Sequence, residues 1–428
     1  MFNFQNDKTF YTVKAENRQF EEAQAFIDEV LKLHNPNVTT QPLRKVQIAG
    51  TNGKGSTAAM LSSVLIHAGY KTGLYTSPSL VCVNERIRLN GEMISDADLC
   101  SYIPVIARAQ EESGRLFGGF ERITAASMLY YTDNAVDIAV METGLGGRYD
   151  TVSAVGELIL ASVTAIGMDH MVMLGDSLDK IAMEKCGIMR QGIPTVVHSQ
   201  KQIADAVVEK CASELDVRLI RTDVCKIISV CELPDRQKVQ IQADGELYDL
   251  VIPLLGSYQC ENAKNALLCA LELKKQGFRI SHEDICEGIA SAKWDGRLQN
   301  LKVRGINSNI VVDGAHNPSA MYAVAEHMTR VYGDKKFTAV LAVMSDKDVD
   351  GVLCELARFA EDVVCLKVTP RSCDAEELAK MVEKHGMRAH CADDIRDALK
   401  KADALANGED IYALGSLYLA GAIIGESM

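Results

Sequence analysis

Long apolar runs are absent from this chain. Although 47% of its residues are hydrophobic, no stretch approaches the ~20 consecutive apolar residues of a membrane span, so no membrane partner is expected. Net positive charge is absent as well: 45 lysines and arginines face 58 aspartates and glutamates, a formal charge of −13. Binding to nucleic acid needs clustered Lys and Arg against the phosphates, and that class is set aside. A local basic pocket for a small anion is not excluded. The 13 cysteines, scattered from Cys82 to Cys391, include no CxxC pair, which argues against a zinc site or disulfide framework and for reduced thiols in a cytoplasmic setting. The opening residues MFNFQNDKTF lack a basic segment before an apolar core, so no secretory leader is expected. No repeat or low-complexity segment stands out. What remains is the composition of an ordinary soluble protein, with 428 residues for two or three domains of ~150 residues each.

Residues 19–33 (QFEEAQAFIDEVLKL) space their apolar side chains for an amphipathic helix. RKVQIAG reads as a short strand ending in glycine, and helical spacing resumes from Lys54 to about Ala68. Strand, glycine loop and helix in that order open an α/β fold. Nearly continuous apolar runs at 71–76, 136–141 and 157–166, with IPTVVH after them, predict parallel strands buried on both faces. A helix is expected at about 200–214. Alternation over 216–255, with Asp244-Gly245 as a turn, predicts an antiparallel ribbon on the first domain. After Arg297 the rhythm restarts: strand 309–312, the loop DGAHNP, helix 318–332, strand 337–343, helix 349–360, strand 362–367, helices within 374–404 and strand 411–414. The expected fold is α/β: a P-loop domain with a mainly parallel sheet over 1–297, and a smaller Rossmann-like α/β domain over 298–428.

The strongest local signal is GTNGKGST at 50–57. Glycines let successive N–H groups wrap phosphate oxygens, and the helix that follows adds its positive N-terminal end. Lys54 would reach the terminal phosphates, and a hydroxyl from Ser56 or Thr57 would ligate magnesium (Mg2+). The spacing departs from the general G-x-x-x-x-G-K-[ST] pattern, whose first glycine would fall at Ile48. Glu142 ends a buried strand beside a glycine-rich turn, where open parallel sheets hold ligands, and its carboxylate suits a hard cation. Each candidate has a plainer reading too: a strand-end Glu facing solvent, a hydrogen-bonded His170, a solvated helix lysine at 185, a turn at WDGR, and a capping loop at DGAHNP, where Asn317 and Pro318 start a helix.

GTNGKGST is the form this loop takes in the Mur ligase superfamily, and the chain resembles its folate branch, the folylpolyglutamate and dihydrofolate synthases. The resemblance runs through TSPSLVCVNERI, METGLGGRYD, IGMDHMVMLGDSLDKIAMEKCGI, GSYQCENAKNA, WDGR, DGAHNP and GSLYLAG. It implies an ATP-dependent ligase that phosphorylates a substrate carboxylate and lets the amine of glutamate displace the phosphate. Thr51, Asn52, Gly53, Lys54, Gly55, Ser56 and Thr57 would bind ATP with Gln259 and Asn262, and Arg297, Asp313 and His316 would complete that site from the domain junction. The resemblance makes Ser56, Glu142 and His170 metal ligands. It assigns catalytic parts to Lys54, His170 and Lys185, the last in a form often carbamylated. Ser77, Pro78, Ser79 and Arg86 would form the loop near the folate. The partners implied are small molecules (ATP, glutamate, and folate or pteroate), and a monomer is expected.

Several positions depart from the family pattern: Ser79 and Tyr258 stand where His is common, Cys186 where Ala is common, and GGRYDTVS replaces GGRLDATN, changing Tyr149 and Ser153. None removes a phosphate or metal group, and two of them lie near the loops expected to shape the pterin-side pocket, so they bear on substrate identity rather than on the reaction type. The rival readings are a Mur-type ligase for another acid and amine, a P-loop nucleotide switch, and a non-catalytic binder.

Overall fold

The computed structural model describes residues 17–35, 42–233 and 235–427. They divide into two compact units, Met1–Pro253 with Cys260–Lys293, and Leu254–Gln259 with Trp294–Met428.

The first unit is built on an eight-stranded sheet: β1 (Arg44–Ala49), β2 (Thr72–Tyr75), β3 (Ile87–Leu89), β4 (Glu92–Met93), β5 (Ile138–Glu142), β6 (Glu157–Val163), β7 (Thr195–Val197) and β8 (Leu219–Arg221), in the order β4-β3-β2-β5-β1-β6-β7-β8. The six strands from β2 to β8 along that order are parallel, and β3 and β4 add an antiparallel hairpin at one edge. Residues 138–142 are all buried, as the continuous apolar runs require when helices cover both faces. The helix Lys54–His67 shows no polar stripe and buries ten side chains or backbone sites along its length, so packing on several sides holds it. The helix Asn17–His34 fits the expected amphipathic segment and buries Phe26, Ile27 and Val30.

The ribbon expected over 216–255 resolves into two parts. β8 joins the large sheet as a parallel edge strand, while β9 (Lys226–Glu232), β10 (Gln237–Ala243) and β11 (Glu246–Ile252) form a separate antiparallel sheet, turning at Asp244-Gly245. Alternation in sequence describes a half-exposed strand equally well in either setting.

The second unit carries β12 (Gln299–Leu301), β13 (Ile310–Val312), β14 (Phe337–Leu341), β15 (Ala360–Cys365), β16 (Arg388–Cys391) and β17 (Ile411–Leu414), ordered β12-β13-β17-β14-β15-β16. All pairings are parallel except β12 with β13. The segment 374–404 holds the expected helices, Ala375–Lys384 and Ile395–Ala406, with β16 between them as an unexpected strand. RAHC at this edge carries polar and half-exposed side chains, so no apolar run marks it.

Candidate active site

β1 sits between β5 and β6, and the chain leaves β1 directly into the 50–57 loop. Such a point in a parallel sheet opens a crevice beyond the C-terminal strand ends. Four strand exits meet there: the phosphate loop after β1, Ser77 after β2, Glu142 closing β5, and 164–170 after β6.

The loop is shaped by close approach. A side chain at Gly53, where φ is +88°, would bring Cβ within 2.2 Å of Asn262 Oδ1. At Gly50, Cβ would lie 1.9 Å from Thr164 Oγ1. Only glycine fits both places. The Thr51 and Asn52 N–H groups donate to Ala165 C=O at 2.8 and 3.2 Å. Thr51 Oγ1 donates to Gly167 C=O and accepts from Gly167 N–H, each at 3.0 Å. The Lys54–His67 helix follows at once, with the Thr57 N–H bonded to Gly53 C=O at 2.9 Å.

Lys54 and Glu142 are brought together, Nζ 3.7 Å from Oε1. Lys54 also donates to Thr51 C=O at 3.3 Å. The other Glu142 oxygen accepts the Ser77 N–H at 3.3 Å, so one buried carboxylate ties the phosphate loop to the cis Ser77-Pro78 loop. That loop has a second anchor that sequence reading missed. The Glu85 carboxylate accepts from the N–H groups of Leu80, Val81 and Cys82 at 2.7, 2.8 and 2.9 Å. The cue is an acid three residues after Cys82, a capping box without the Ser or Thr that makes such boxes recognisable. Arg86 donates from Nε to Ser79 Oγ at 3.4 Å.

Lys185 is buried and donates to Gly50 C=O at 2.7 Å. Burial first, and Lys54 second, pushes its amine down to about 7. The plainer reading of this residue, a solvated helix lysine, is therefore wrong. His170 sits in left-handed backbone (φ 50°) on Asp169, which accepts its N–H at 2.8 Å, and its side chain is 41% exposed with Nε2 3.9 Å from Asp169 Oδ2. Ser56 and Thr57 are buried, and Thr57 Oγ1 has no hydrogen-bond partner. Among the described residues no three His, Cys, Asp or Glu side chains converge as a protein-only metal centre would require. A magnesium that keeps waters and phosphate oxygens needs only one or two protein ligands, and the hydroxyls of Ser56 and Thr57 with the Glu142 carboxylate are oxygen donors of that kind.

Behind the site lies a polar layer absent from the sequence reading. Asp150 accepts from Leu145 and Val152 N–H at 2.9 Å each, and burial raises it to about 6. Lys45, also buried, donates to Val152 C=O; burial first and Arg190 second lower it to about 7. Ser153 accepts from Gln47 Nε2 at 2.6 Å and donates to Gly147 C=O at 2.7 Å.

The remaining predicted residues belong to the second unit and form their own cluster. Buried Asp313 accepts from Leu298 N–H at 3.0 Å, Ala315 N–H at 2.8 Å and Tyr258 OH at 3.2 Å. Burial nevertheless holds its carboxyl above the usual range. Arg297 Nη1 lies 3.4 Å from Gly296 C=O, and His316 Nδ1 is bonded to Gly314 C=O at 2.7 Å. The capping reading of DGAHNP holds: Asn317 Oδ1 accepts the Ala320 N–H at 2.9 Å, with Pro318 opening the helix Pro318–Tyr332. Capping uses only Asn317 and Pro318 and leaves the other side chains of the motif to be explained. Gln259 is buried at the start of the helix Tyr258–Lys275.

The Mur ligase middle domain profile matches residues 48–270, and the Mur ligase glutamate ligase domain profile matches 296–416. A dihydrofolate synthase/folylpolyglutamate synthase from Bacillus subtilis is 32% identical over 387 residues, covering 88% of each chain. A Mycobacterium tuberculosis folylpolyglutamate synthase complexed with ADP superposes with a TM-score of 0.85 at 29% identity, over 96% of this chain and 94% of that one. The Escherichia coli enzyme FolC in complex with DHPP and ADP gives 0.82 at 26% identity, over 99% and 95%. No helix among the described residues is long and apolar enough to cross a membrane.

Proposed function

The chain belongs to the Mur ligase family, in the branch of the dihydrofolate and folylpolyglutamate synthases, and from that premise we propose how its residues carry the reaction. It is an ATP-dependent ligase that adds glutamate to a folate-type carboxylate. The observation that carries the assignment of roles is the Lys54–Glu142 pair, 3.7 Å apart, at the mouth of a glycine loop that opens a helix.

A free carboxylate resists attack because its charge repels nucleophiles and its oxide leaves poorly. Transfer of the γ-phosphoryl group of ATP removes both obstacles, and the glutamate amine then displaces phosphate to give the amide. In the first step two anions must approach one another. The N–H groups at the start of the Lys54–His67 helix and the Lys54 ammonium are proposed to cradle the phosphates and hold the charge of the transferring group in place. Glu142 and the hydroxyls of Ser56 and Thr57 would hold magnesium, which when bound shields phosphate charge. The Ser77–Ser79 loop and Arg86 are proposed to face the folate, since Glu142 couples that loop to Lys54. Arg297, Asp313 and His316 are assigned to nucleotide binding by their match to the family motif, with Arg suited to phosphate in bidentate fashion. The Lys185 amine, held near neutrality, is in the state that carbon dioxide can add to; a carbamate there would supply an anion beside Gly50. His170 is proposed to support a second metal.

The decisive measurement is ADP release by purified protein with magnesium, ATP and glutamate, offering dihydropteroate and tetrahydrofolate separately. Release with dihydropteroate alone identifies a dihydrofolate synthase, with tetrahydrofolate alone a polyglutamate synthase, and with both a bifunctional enzyme. No release with either, from protein that still binds ATP, would sink the folate assignment and leave only the ligase scaffold.

A further inference from the structure

β7 ends at Val197, and its last backbone rung to β6 is the His198 N–H donating to Val163 C=O at 2.9 Å. β6 itself ends at Val163, yet the ladder goes on past this rung. The carboxamide of Gln200 takes the place of a strand: Nε2 donates to Thr164 C=O at 3.0 Å, and Oε1 accepts the Ile166 N–H at 2.9 Å. An amide side chain presents one donor and one acceptor, as a peptide group does, so it can satisfy residues 164 and 166 together.

Residue 165 points the other way. Its carbonyl receives the N–H groups of Thr51 and Asn52, and Gly167 exchanges two hydrogen bonds with the Thr51 hydroxyl. The strip 164–167 is thus held along one edge by Gln200 and along the other edge serves as the seat of the phosphate loop. It also leads within three residues to His170.

We propose that Gln200 is a positioning residue for nucleotide binding, acting through 164–167 on the conformation of Thr51 and Asn52. This rests on the phosphate-loop reading given above. Thr164 and Ile166 are 1% and 5% exposed, so without Gln200 a buried carbonyl and a buried N–H lose their partners, and water reaches them only if the strip moves. Movement of the strip displaces the loop it seats. The folate-side loop at 77–86 is held by three backbone bonds to Glu85 and meets the phosphate loop through the Glu142–Lys54 pair rather than through the 164–167 strip, so the effect should fall mainly on the nucleotide.

The test uses the full-length protein, Gln200→Met to keep the shape and remove both hydrogen bonds, and Gln200→Glu to keep the acceptor for Ile166 alone. Binding of a fluorescent ADP analogue, the KM for the folate substrate and the melting temperature are read for each. The expected result is an ADP Kd raised about tenfold in the Met variant and less in the Glu variant, with the folate KM within twofold of the parent. An ADP Kd within twofold of the parent, or ADP Kd and folate KM rising together, overturns the proposal. If the Met variant does not fold, the same thresholds applied to the Glu variant decide. Lys54→Ala, run alongside, separates the two readings: if it too binds ADP normally, the phosphate-loop reading has failed, and if it alone loses ADP, only the role of Gln200 has.

Discussion

Replacing Glu142 by glutamine removes one negative charge and little else. The carboxylate is 4% exposed, lies 3.7 Å from Lys54 Nζ and accepts the Ser77 N–H at 3.3 Å. A carboxamide of the same shape still accepts that N–H, so the 77–79 loop keeps its anchor. The lost attraction is about 4 kcal/mol at an effective dielectric of ~20. Against it stands the cost of holding a carboxylate out of water, itself several kcal/mol in a buried setting. The two nearly offset, leaving a net change of about 1 kcal/mol, or roughly 2–4 °C in melting temperature for a unit of this size. Catalysis has no such compensation. A cation preset against the transferring phosphoryl group is worth about 2.7–4 kcal/mol, so loss of the carboxylate that would hold it should cost about 10²–10³ in kcat, and magnesium half-saturation should rise in step. The assay is the initial rate of glutamate-dependent ADP release across a magnesium titration, with melting temperature measured in parallel. A variant whose kcat and magnesium half-saturation both stay within threefold of the parent would refute the role given to Glu142.

Lys54→Ala should lower turnover at least about 100-fold while the protein remains folded by circular dichroism; normal turnover would remove the lysine from the chemistry. Lys45 titrates at about 7 in the fold against an ordinary 10.5. The unfolded chain therefore binds more protons between those values, and stability rises with pH across that window. Lys185 contributes in the same direction. Lys45→Met should flatten the rise in melting temperature between pH 7 and 10, and an unchanged slope would contradict a buried Lys45 amine. Ser153→Ala strands the Gln47 carboxamide, which is 1% exposed, at a cost of about 1–3 kcal/mol seen as a lower melting temperature with folate KM unchanged. A tenfold rise in folate KM at constant melting temperature would instead move Ser153 to the substrate side.

The parts of this site that were legible in sequence are those whose determinants lie within a few residues. The 50–57 loop announces itself because strand, glycines, lysine and helix must follow one another directly, and Asn317-Pro318 because a cap and its helix are neighbours. Asn90-Gly91, both with positive φ, carries a hairpin signal, but the flanking strands have three and two residues, too few for alternation to show.

Lys45 and Gln200 were illegible for a different reason. A lysine at the start of a strand reads as surface, and only the pairing of β1 with β5 on one side and β6 on the other encloses it. A glutamine in SQKQ has no periodic cue at all, since its two partners are 34 and 36 residues away and are backbone groups that any residue type would supply. Backbone carries no sequence signature, so a side chain whose work is to pair with backbone is found only once the sheet is assembled. Glu142 lies between these cases. Its place at a strand end was visible, but its second bond, to the Ser77 N–H, is again to backbone. That bond makes one carboxylate answer to both the phosphate loop and the 77–79 loop, and so couples two loops that motif reading treats as separate.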